Sequence, residues 1–198
     1  MLTLIHAPQS RSSSILWLLE EIGAPYEKQV VNIRRADGSG AVDPANPHPH
    51  KKVPALLHDG ECVTESGAIA LYLSDLFPEA KLGPKVGEKQ RGRFLSWLAY
   101  RSAVLEPAMM ERRLGQQHIY GAMGWAAPDE AEAELNRHLA DNPYFLGEQF
   151  SAVDVMLGGA INFMLMFKMM AETAVFRDYC GRITARPAFQ RMMALDAT

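Results

Sequence analysis

The sequence contains little cysteine: the 198 residues include two, Cys62 and Cys180. They lie far apart and form no C-x-x-C pair, so neither a disulfide framework nor a zinc site is expected. A thiol–disulfide oxidoreductase would need a cysteine in the turn near the start of the chain that follows the first predicted strand, and no cysteine precedes Cys62. We therefore predict two free thiols in a reducing compartment.

The sequence also lacks an excess of positive charge and any long hydrophobic run. Its net charge is −3, whereas a nucleic-acid-binding protein usually has a basic face. The most apolar stretch, "VMLGGAINFMLMF", lies between Asp154 and Lys168 and is too short to span a bilayer. The first residues, "MLTLIH", do not form a signal peptide. We expect a cytoplasmic protein whose partners include neither nucleic acid nor a membrane.

The first part of the chain alternates strand and helix signals. "LTLIH" is typical of a buried strand, "SSILWLLEEI" of a helix that ends at Gly23, and "YEKQVVNI" of a second strand. After a polar loop, Asp59-Gly60 is a hairpin turn between two short strands, and "ESGAIALYLSDLFP" is typical of a helix. A β-α-β unit followed by a β-β-α unit predicts a small mixed sheet with helices on its faces, the thioredoxin-like arrangement.

The second part of the chain shows helix signals and no strand signal. The stretch "PEAKLGPKVGEK" contains two prolines and two glycines and predicts a linker over residues 79–87. Helices are then expected at roughly 88–118, 128–141, 152–171, 173–184 and 187–195. The predicted fold class is α/β plus all-α, with a thioredoxin-like domain over residues 1–78 and an all-helical domain over residues 88–198.

The motif "HKKVPALLHDG" is centred on Val53-Pro54, at the start of a predicted strand. An ordinary trans-proline is tolerated at such a strand edge and is favoured by the general preference of X-Pro bonds. A cis-proline would instead turn the N–H and C=O of Val53 outward, where they can pair with an extended peptide.

The motif "TESGAIALYL" marks the start of a helix, and it too has two interpretations. Ser66 or Thr64 can cap the helix, and the negative charge of Glu65 can interact favourably with the positive end of the helix dipole. Alternatively, the free N–H groups at the helix start bind a carboxylate, and Glu65 holds an ammonium beside it. That pairing suits the head of an α-amino acid, which carries both charges.

The motif "FSAVDVMLGGAI" contains an S-x-x-D capping box formed by Ser151 and Asp154, ahead of an apolar helix. We interpret this box as structural, a device that starts a helix of the second domain. A Ser151→Ala change is expected to cost about 1 kcal/mol.

The turn "APQSRSSSILWLLEE" contains four serines, Ser10, Ser12, Ser13 and Ser14, directly before a buried helix. A helix start needs one capping hydroxyl, and Ser12 or Ser13 is predicted to supply it. The remaining serines call for a further explanation.

Three stretches in this order resemble the glutathione S-transferase family, and the resemblance covers nearly the whole chain. The stretches are "SRSSSILWLLEEIGAPYE", "HPHKKVPALLHDGECVTESGAIALYL" and "FSAVDVMLGGA". The resemblance, to the soluble, serine-type, bacterial-like members, implies a thioredoxin-like domain followed by a helical domain. It also implies glutathione as co-substrate, no metal, and a homodimer.

The resemblance further implies how glutathione is held. Val53 would precede a cis-proline, Pro54, and pair with the cysteinyl backbone of glutathione. Glu65 and Ser66 would hold the γ-glutamyl head, and Lys52 would lie near the glycyl carboxylate. The family's usual "NP-x-G-K-VP" run appears here as "HPHKKVP", so the contacts with the glycyl carboxylate are the least defined.

In serine-type members a hydroxyl in the first turn donates to the sulfur of glutathione and stabilises the nucleophilic thiolate. Lowering a thiol pKa from about 8.5 to about 6.5 requires about 2.7 kcal/mol. One charge-assisted hydrogen bond supplies roughly 1.5–3 kcal/mol, and the positive end of the helix adds about 0.3–1 kcal/mol. Ser10 is the first candidate for this catalytic hydroxyl because it matches the "SR" pair, and Ser12 is the second.

The second substrate is expected to be a small hydrophobic electrophile. The stretch "FLSWLAYRSAVLEPAMMERR" supplies Tyr100 and Val104 as candidates for its pocket. The alternative is that these side chains belong to the helical core or to a dimer contact.

The leading hypothesis is a glutathione transferase in which the thiolate attacks the electrophile, with detoxification as its general role. Glutathione-dependent peroxide reduction and dehalogenation would use the same site. The main rival is a non-catalytic interaction module with the same fold, and a thiol–disulfide oxidoreductase is a third option.

Overall fold

The computed structural model describes residues 1–197. Four strands form one sheet in the order β2-β1-β3-β4. Strand β1 pairs in parallel with β2 and antiparallel with β3, and β3 pairs antiparallel with β4. The strands are β1 (Leu2–His6), β2 (Tyr26–Val30), β3 (Ala55–His58) and β4 (Glu61–Thr64). The predicted mixed sheet with its thioredoxin-like order is confirmed.

Two helices accompany the sheet, α1 (Ser12–Ile22) and α2 (Ser66–Leu76). Helix α1 ends at Gly23, which has a left-handed φ of 73° and donates its N–H to the Leu19 carbonyl, as predicted for a C-cap. The two residues between β3 and β4, Asp59 and Gly60, both have positive φ, as a type I′ hairpin turn requires.

The next part of the chain is helical from Arg91 onward. Its first long helix runs through α3 (Arg91–Tyr100), a π-helical segment (Arg101–Leu105) and α4 (Glu106–Arg113). It is followed by α5 (Pro128–Asp141), a π-helical segment (Asp154–Gly158) that continues into α6 (Gly159–Met166), and α7 (Ala174–Thr184).

Two of the predicted helices are shorter in the structure than expected. The first ends at Arg113 rather than near residue 118, because the chain turns at Gly115, where φ is 62°. The helix expected to reach residue 171 ends at Met166, and Lys168 then adopts a φ of 53°. Good helix formers follow both ends, Gln116 and Gln117 after the first and Met169 and Met170 after the second, so composition alone extended the prediction.

The chain divides into two compact units, Met1–Ala80 together with the chain from Arg186 onward, and Lys81–Ala185. The last helix, α8 (Pro187–Asp196), therefore belongs with the sheet. Two ion pairs join this part of the chain to α1, from Arg186, just before α8, to Glu21 at 2.7 Å and from Arg191 of α8 to Glu20 at 2.8 Å. The boundaries inferred from the sequence, 1–78, 79–87 and 88–198, stay a prediction.

The helical unit contains the predicted capping box. The Asp154 carboxylate accepts the Ser151 N–H at 2.9 Å and the Ser151 hydroxyl at 3.0 Å. It also accepts the Phe145 N–H at 3.1 Å and the Tyr179 hydroxyl at 3.0 Å. These four residues are buried, so the box ties the start of a helix to the core of its unit.

Candidate functional site

The serine turn leaves the end of β1 and begins α1. The Ser10 hydroxyl lies 2.8 Å from the Ser12 hydroxyl and 2.7 Å from the Ala7 carbonyl. The Ser12 N–H donates to Ser10 Oγ at 3.2 Å, and the Ser13 N–H donates to the Ser10 carbonyl at 3.1 Å. Ser10 thus satisfies the first N–H groups of the helix, and the prediction that Ser12 or Ser13 caps it is wrong.

The two serines predicted to be catalytic differ in accessibility. Ser12 is fully buried, and its hydroxyl also accepts the Ala7 N–H at 3.1 Å. Ser10 is only partly buried. Of the two serines, Ser10 is therefore the more accessible to a ligand.

Two residues that the sequence did not single out complete this hydrogen-bonded cluster. His6, at the end of β1, is buried, and its Nδ1 lies 2.8 Å from Ser12 Oγ. Its Nε2 lies 3.2 Å from Oδ1 of Asp196 on α8, but not in line for a hydrogen bond. His6 occupies a strand position and Asp196 lies at the far end of the chain, so no local pattern pairs them.

The Asp196 carboxylate is anchored from the serine turn. Its Oδ1 accepts the Ser13 hydroxyl at 2.6 Å, and its Oδ2 accepts the Gln9 N–H at 3.0 Å. Burial opposes ionisation of Asp196, but the interactions with His6, Ser13 and Gln9 outweigh it and hold its pKa below the ordinary value. A carboxylate therefore faces the buried imidazole of His6.

The remaining predicted residues lie around the start of β3 and of α2. The Val53-Pro54 bond is cis, as the resemblance to the family implied. Val53 is buried and lies before Ala55, where the pairing of β3 begins. The Val53 peptide is thus outside the strand ladder.

Helix α2 begins without a side-chain cap. Its N-cap position is Glu65, whose side chain makes no capping hydrogen bond, so the alternative of a cap from Ser66 or Thr64 is wrong. Glu65 is exposed and has φ of 67° and ψ of 119°, a conformation that non-glycine residues rarely adopt and that costs about 1–3 kcal/mol. Such strain is typical of binding sites, where the surrounding structure maintains it.

The strand register brings these features to one end of the sheet. Ile5 of β1 pairs with Ala55 of β3, and Ala55 also pairs with Thr64 of β4. Strand β1 ends one residue after Ile5, β3 begins at Ala55, and β4 ends at Thr64. The serine turn, the Val53-Pro54 peptide and Glu65 therefore leave the sheet at the same end.

The loop before β3 departs from the family's usual residues at His48 and Lys51, and the contacts of these two residues indicate their roles. Lys51 has a φ of 52° and donates through Nζ to the Asn46 carbonyl at 2.6 Å, while the Asn46 amide donates to the Lys52 carbonyl at 3.0 Å. His48 is buried, and burial lowers its pKa against the opposing charge of Glu65. Lys51 and His48 thus hold the loop, and the exposed Lys52 is the lysine whose side chain is available to a ligand.

The two residues predicted for the second-substrate pocket lie in the helical unit. The Tyr100 hydroxyl donates to the Ala131 carbonyl at 3.3 Å, and burial raises its pKa to about 12. Its ring packs against Trp97 at 5.1 Å between centroids. Val104 is partly buried and lies within the π-helical segment Arg101–Leu105, a backbone form often found at functional sites.

Both cysteines are free thiols, as predicted. Cys62 is exposed, whereas Cys180 is buried and burial raises its pKa to about 12. Among residues 1–197, no group of three or more His, Cys, Asp or Glu side chains is arranged to hold a metal ion. The helices of the described chain include none with the length and apolar character needed to cross a membrane.

The chain matches two family models in sequence order. Residues 1–75 match the glutathione S-transferase N-terminal domain, and residues 122–190 match the glutathione S-transferase C-terminal domain. Together these matches cover most of the chain.

Individual relatives and solved structures agree with that match. Glutathione S-transferase 3 of Schizosaccharomyces pombe is 28% identical over 172 residues, which cover 78% of this chain and 70% of that protein. The disulfide-bond oxidoreductase YfcG of Escherichia coli is 26% identical over 210 residues, covering 95% of this chain and 92% of that protein. A sphingomonad glutathione S-transferase, solved in complex with glutathione, is 27% identical with a TM-score of 0.75, and 98% of each chain is covered.

Proposed function

The chain belongs to the glutathione S-transferase family, and on that premise we propose that it binds glutathione and activates its thiol for attack on a small hydrophobic electrophile. The observation that carries this proposal is the convergence at one end of the sheet. An accessible hydroxyl, a peptide outside the strand ladder and an uncapped helix start beside a carboxylate leave the sheet there together.

Each part of glutathione has a matching group at this end. The free N–H groups at the start of α2, with Ser66, suit the carboxylate of the γ-glutamyl head, and Glu65 suits its ammonium. The N–H and C=O of Val53, before the cis Pro54, suit the cysteinyl backbone. The exposed Lys52 suits the glycyl carboxylate, the contact that the altered loop defines least.

Ser10 is the hydroxyl that we assign to the sulfur. Its partial exposure supports this choice over Ser12, which is fully buried. A hydrogen bond from Ser10 to the thiolate supplies roughly 1.5–3 kcal/mol, and the positive end of α1 adds about 0.3–1 kcal/mol. These contributions lower the pKa of the bound thiol toward neutrality without ionising the serine itself.

The proposed reaction then proceeds by nucleophilic attack. The thiol loses its proton, the sulfur lone pair forms a C–S bond with an electrophilic carbon, and a leaving group departs with the electrons of the broken bond. Where the electrophile is an activated alkene, the new carbanion takes up a proton instead. In both cases the protein lowers the barrier by raising the thiolate population at neutral pH.

The second substrate is proposed to contact the helical unit. Val104 and Tyr100 are proposed to contribute apolar surface to its pocket, and the high pKa of Tyr100 keeps this hydroxyl protonated in that role. Family membership supports a homodimer, which sedimentation of the purified chain would test. The free thiols support a reducing compartment such as the cytoplasm.

The test of the proposed function combines two measurements on the same protein. Calorimetric titration with glutathione reports binding, and ultraviolet difference absorbance reports thiolate formed on the protein as pH is varied. We expect saturable binding and a thiolate at neutral pH. Ser10→Ala should leave binding nearly intact but raise the pKa of the bound thiol by about 1–2 units, since it removes one charge-assisted hydrogen bond.

Ser96→Ala is the matched control, because Ser96 is an exposed helix serine whose hydroxyl bonds only locally, to the Gly92 carbonyl at 3.0 Å. It should change neither binding nor the thiolate. Glutathione that binds without ionising would indicate the rival interaction module, and no binding would contradict the proposal.

Product analysis separates the reaction types. Conjugation yields a thioether, whereas peroxide reduction or disulfide exchange, the reaction for which the YfcG relative is named, yields glutathione disulfide. Here no cysteine lies in the first turn, so a disulfide reaction would have to use a second glutathione as the resolving thiol.

A further inference from the structure

The buried imidazole of His6 lies beside the serine turn, with its Nδ1 2.8 Å from Ser12 Oγ. Its Nε2 is a buried side-chain atom without a hydrogen-bond partner in residues 1–197. Buried polar atoms are normally paired, because leaving one unpaired costs free energy. Asp196 Oδ1 lies 3.2 Å from Nε2, so this buried ring nitrogen has a carboxylate beside it but no aligned hydrogen bond, an arrangement that points to a role beyond packing.

His6 lies at the inner end of a continuous chain of polar atoms that starts at the accessible hydroxyl of Ser10. The distances are 2.8 Å from Ser10 Oγ to Ser12 Oγ, 2.8 Å from Ser12 Oγ to His6 Nδ1, and 3.2 Å from His6 Nε2 to Asp196 Oδ1. Each of the first two links is short enough for a good hydrogen bond. The chain runs from the turn to a carboxylate inside the protein.

We propose that His6 accepts, through the hydroxyls of Ser12 and Ser10, the proton that bound glutathione loses, and that Asp196 stabilises the imidazolium that forms. This inference rests on the proposed function, because it takes Ser10 as the hydroxyl beside the sulfur. It assigns to His6 a role as proton acceptor, exerted through two other side chains rather than by contact with the substrate.

The hydrogen bonds have one direction before the transfer and the opposite direction after it. Before, the thiol donates to Ser10, Ser10 donates to Ser12, and Ser12 donates to Nδ1 of His6, whose Nε2 carries the ring proton. Each hydroxyl then passes on its own proton and receives another. Afterwards His6 Nδ1 donates to Ser12, Ser12 donates to Ser10, and Ser10 donates to the thiolate.

Protons and charges balance in this step. One S–H bond breaks and one N–H bond forms, the sulfur gains a negative charge and the imidazole a positive one. Both serines remain neutral. Once the hydrogen bonds have reversed, the Ser10 hydroxyl donates its proton toward the sulfur, and a hydrogen bond in this direction stabilises a thiolate.

The carbonyl of Ala7 competes for the same hydroxyl protons, because it lies 2.7 Å from Ser10 Oγ and 3.2 Å from Ser12 Oγ. A hydroxyl proton rotates freely about its C–O bond, so either serine can turn from this carbonyl to the next link of the chain. The Ala7 N–H donates to Ser12 Oγ at 3.1 Å and holds that oxygen in place.

Among the groups that pack against His6, Asp196 carries the opposite charge that would stabilise the imidazolium once it forms. Helix α8 contributes Asp196, whose carboxylate is fixed by the Ser13 hydroxyl and the Gln9 N–H. Helix α1 contributes neutral hydroxyls, and β2 runs beside His6 with Val30 as its paired residue. Nε2 lies 3.2 Å from Asp196 Oδ1, so a rotation that aligned the N–H with this oxygen would form a hydrogen bond at the present distance.

The experiment counts protons and thiolates on the same protein. Glutathione is titrated calorimetrically at neutral pH in two buffers of different ionisation enthalpy, which gives the protons released per bound glutathione. Difference absorbance gives the thiolates formed. If His6 keeps the proton, the wild-type protein forms a thiolate while releasing far fewer protons than thiolates.

Two variants and a matched control sharpen the result. His6→Gln cannot hold the proton, so the thiolate fraction at neutral pH should fall by about tenfold, which corresponds to a rise of about one unit in the pKa of the bound thiol. Any thiolate that still forms should then release its proton to the buffer. Asp196→Asn should also lower the thiolate fraction, because it removes the counter-charge of the imidazolium.

His58→Gln is the control, because His58 is also a strand histidine, with Nδ1 bonded to the Tyr72 hydroxyl at 2.7 Å. This variant should leave unchanged both the number of protons released and the number of thiolates formed per bound glutathione. A merely structural role for His6 would alter stability or binding but not the ratio of protons to thiolates.

Three outcomes would overturn the inference, and they separate it from the proposed function. If the wild-type protein releases one proton for every thiolate formed, His6 does not keep the proton, although the thiol is still activated. An unchanged thiolate fraction in folded His6→Gln leads to the same conclusion. Glutathione bound without any thiolate contradicts thiol activation itself. The wild-type count decides the matter even if a variant does not fold.

Discussion

Two helices of this chain begin at a cluster of serine and aspartate side chains, yet the clusters differ in how completely they are satisfied. At the start of the helix that contains α6, Asp154 accepts four hydrogen bonds from Ser151, Phe145 and Tyr179, all of them buried. At the start of α1, the partly exposed Ser10 leads inward to His6, whose Nε2 makes no hydrogen bond within residues 1–197. The first cluster is closed and structural, and the second is open and suited to chemistry.

The two aspartates also differ in their electrostatics. Burial raises the pKa of Asp154 to about 6, despite the donors around it. Burial acts on Asp196 in the same direction, but its interactions with His6, Ser13 and Gln9 outweigh it and lower its pKa. The same residue type beside the starts of two helices is therefore costly to ionise in one cluster and easy to ionise in the other.

The largest expected effect concerns the closed cluster. Asp154→Ala leaves the Phe145 N–H, the Tyr179 hydroxyl and the Ser151 N–H buried without an acceptor, at about 1–3 kcal/mol for each unpaired group. We expect the free energy of unfolding, measured by urea denaturation, to fall by about 3–5 kcal/mol. Asp196→Ala, as the control, should cost no more than about 1–2 kcal/mol. Equal losses would remove the distinction between a closed and an open cluster.

The dependence of stability on pH should have opposite signs for the two aspartates. Between about pH 4 and pH 6 the folded protein keeps a proton on Asp154 that the unfolded chain has lost, so this contribution falls by roughly 3 kcal/mol as pH rises and is constant above. Asp196, with its lowered pKa, contributes stability above about pH 4 that is lost as pH falls through its folded-state pKa.

Urea denaturation of the wild-type protein, Asp154→Asn and Asp196→Asn across this pH range would measure both contributions. The stability difference between wild type and Asp154→Asn should shrink as pH rises from about 4 to about 6. The difference between wild type and Asp196→Asn should grow as pH rises from more acidic values. Slopes of the same sign would contradict the opposite environments.

The smallest effect compares two serines. Ser151→Ala should cost about 1 kcal/mol of stability and leave glutathione binding and ionisation unchanged. Ser10→Ala also removes a capping hydroxyl and should cost a similar amount, about 0.5–1 kcal/mol. The two variants should therefore have similar stability, measured by thermal unfolding, and should differ only in the fraction of bound glutathione that is ionised to the thiolate. A loss of thiolate in Ser151→Ala would show that stability rather than chemistry sets the signal.

What could be predicted from the sequence depended on how far apart the interacting residues lie. The box of Ser151 and Asp154 spans three residues, and Gly23 and Asp59-Gly60 act through their own backbone angles, so their patterns are local and the predictions were confirmed. The mixed sheet followed from the order of such local elements.

Neither the hydroxyl that caps α1 nor the pairing of His6 with Asp196 could be predicted from a local pattern. Arg11 has helical backbone angles, so the hydrogen bonds of α1 begin one residue earlier than the serine run suggests, and Ser10 becomes the cap. His6 and Asp196 lie at opposite ends of the chain, and a histidine that ends a buried strand has no periodic signal of its own. Only the packing of α8 against α1 brings them together.

The most direct test of the central claim is the position of the sulfur in a crystal structure of the protein with glutathione bound. The account predicts that the sulfur lies within about 3.5 Å of Ser10 Oγ, slightly beyond ordinary hydrogen-bond range because sulfur is larger. It also predicts the γ-glutamyl head at Glu65 and the cysteinyl backbone at Val53. A sulfur that lies away from Ser10, or glutathione bound elsewhere, would contradict it.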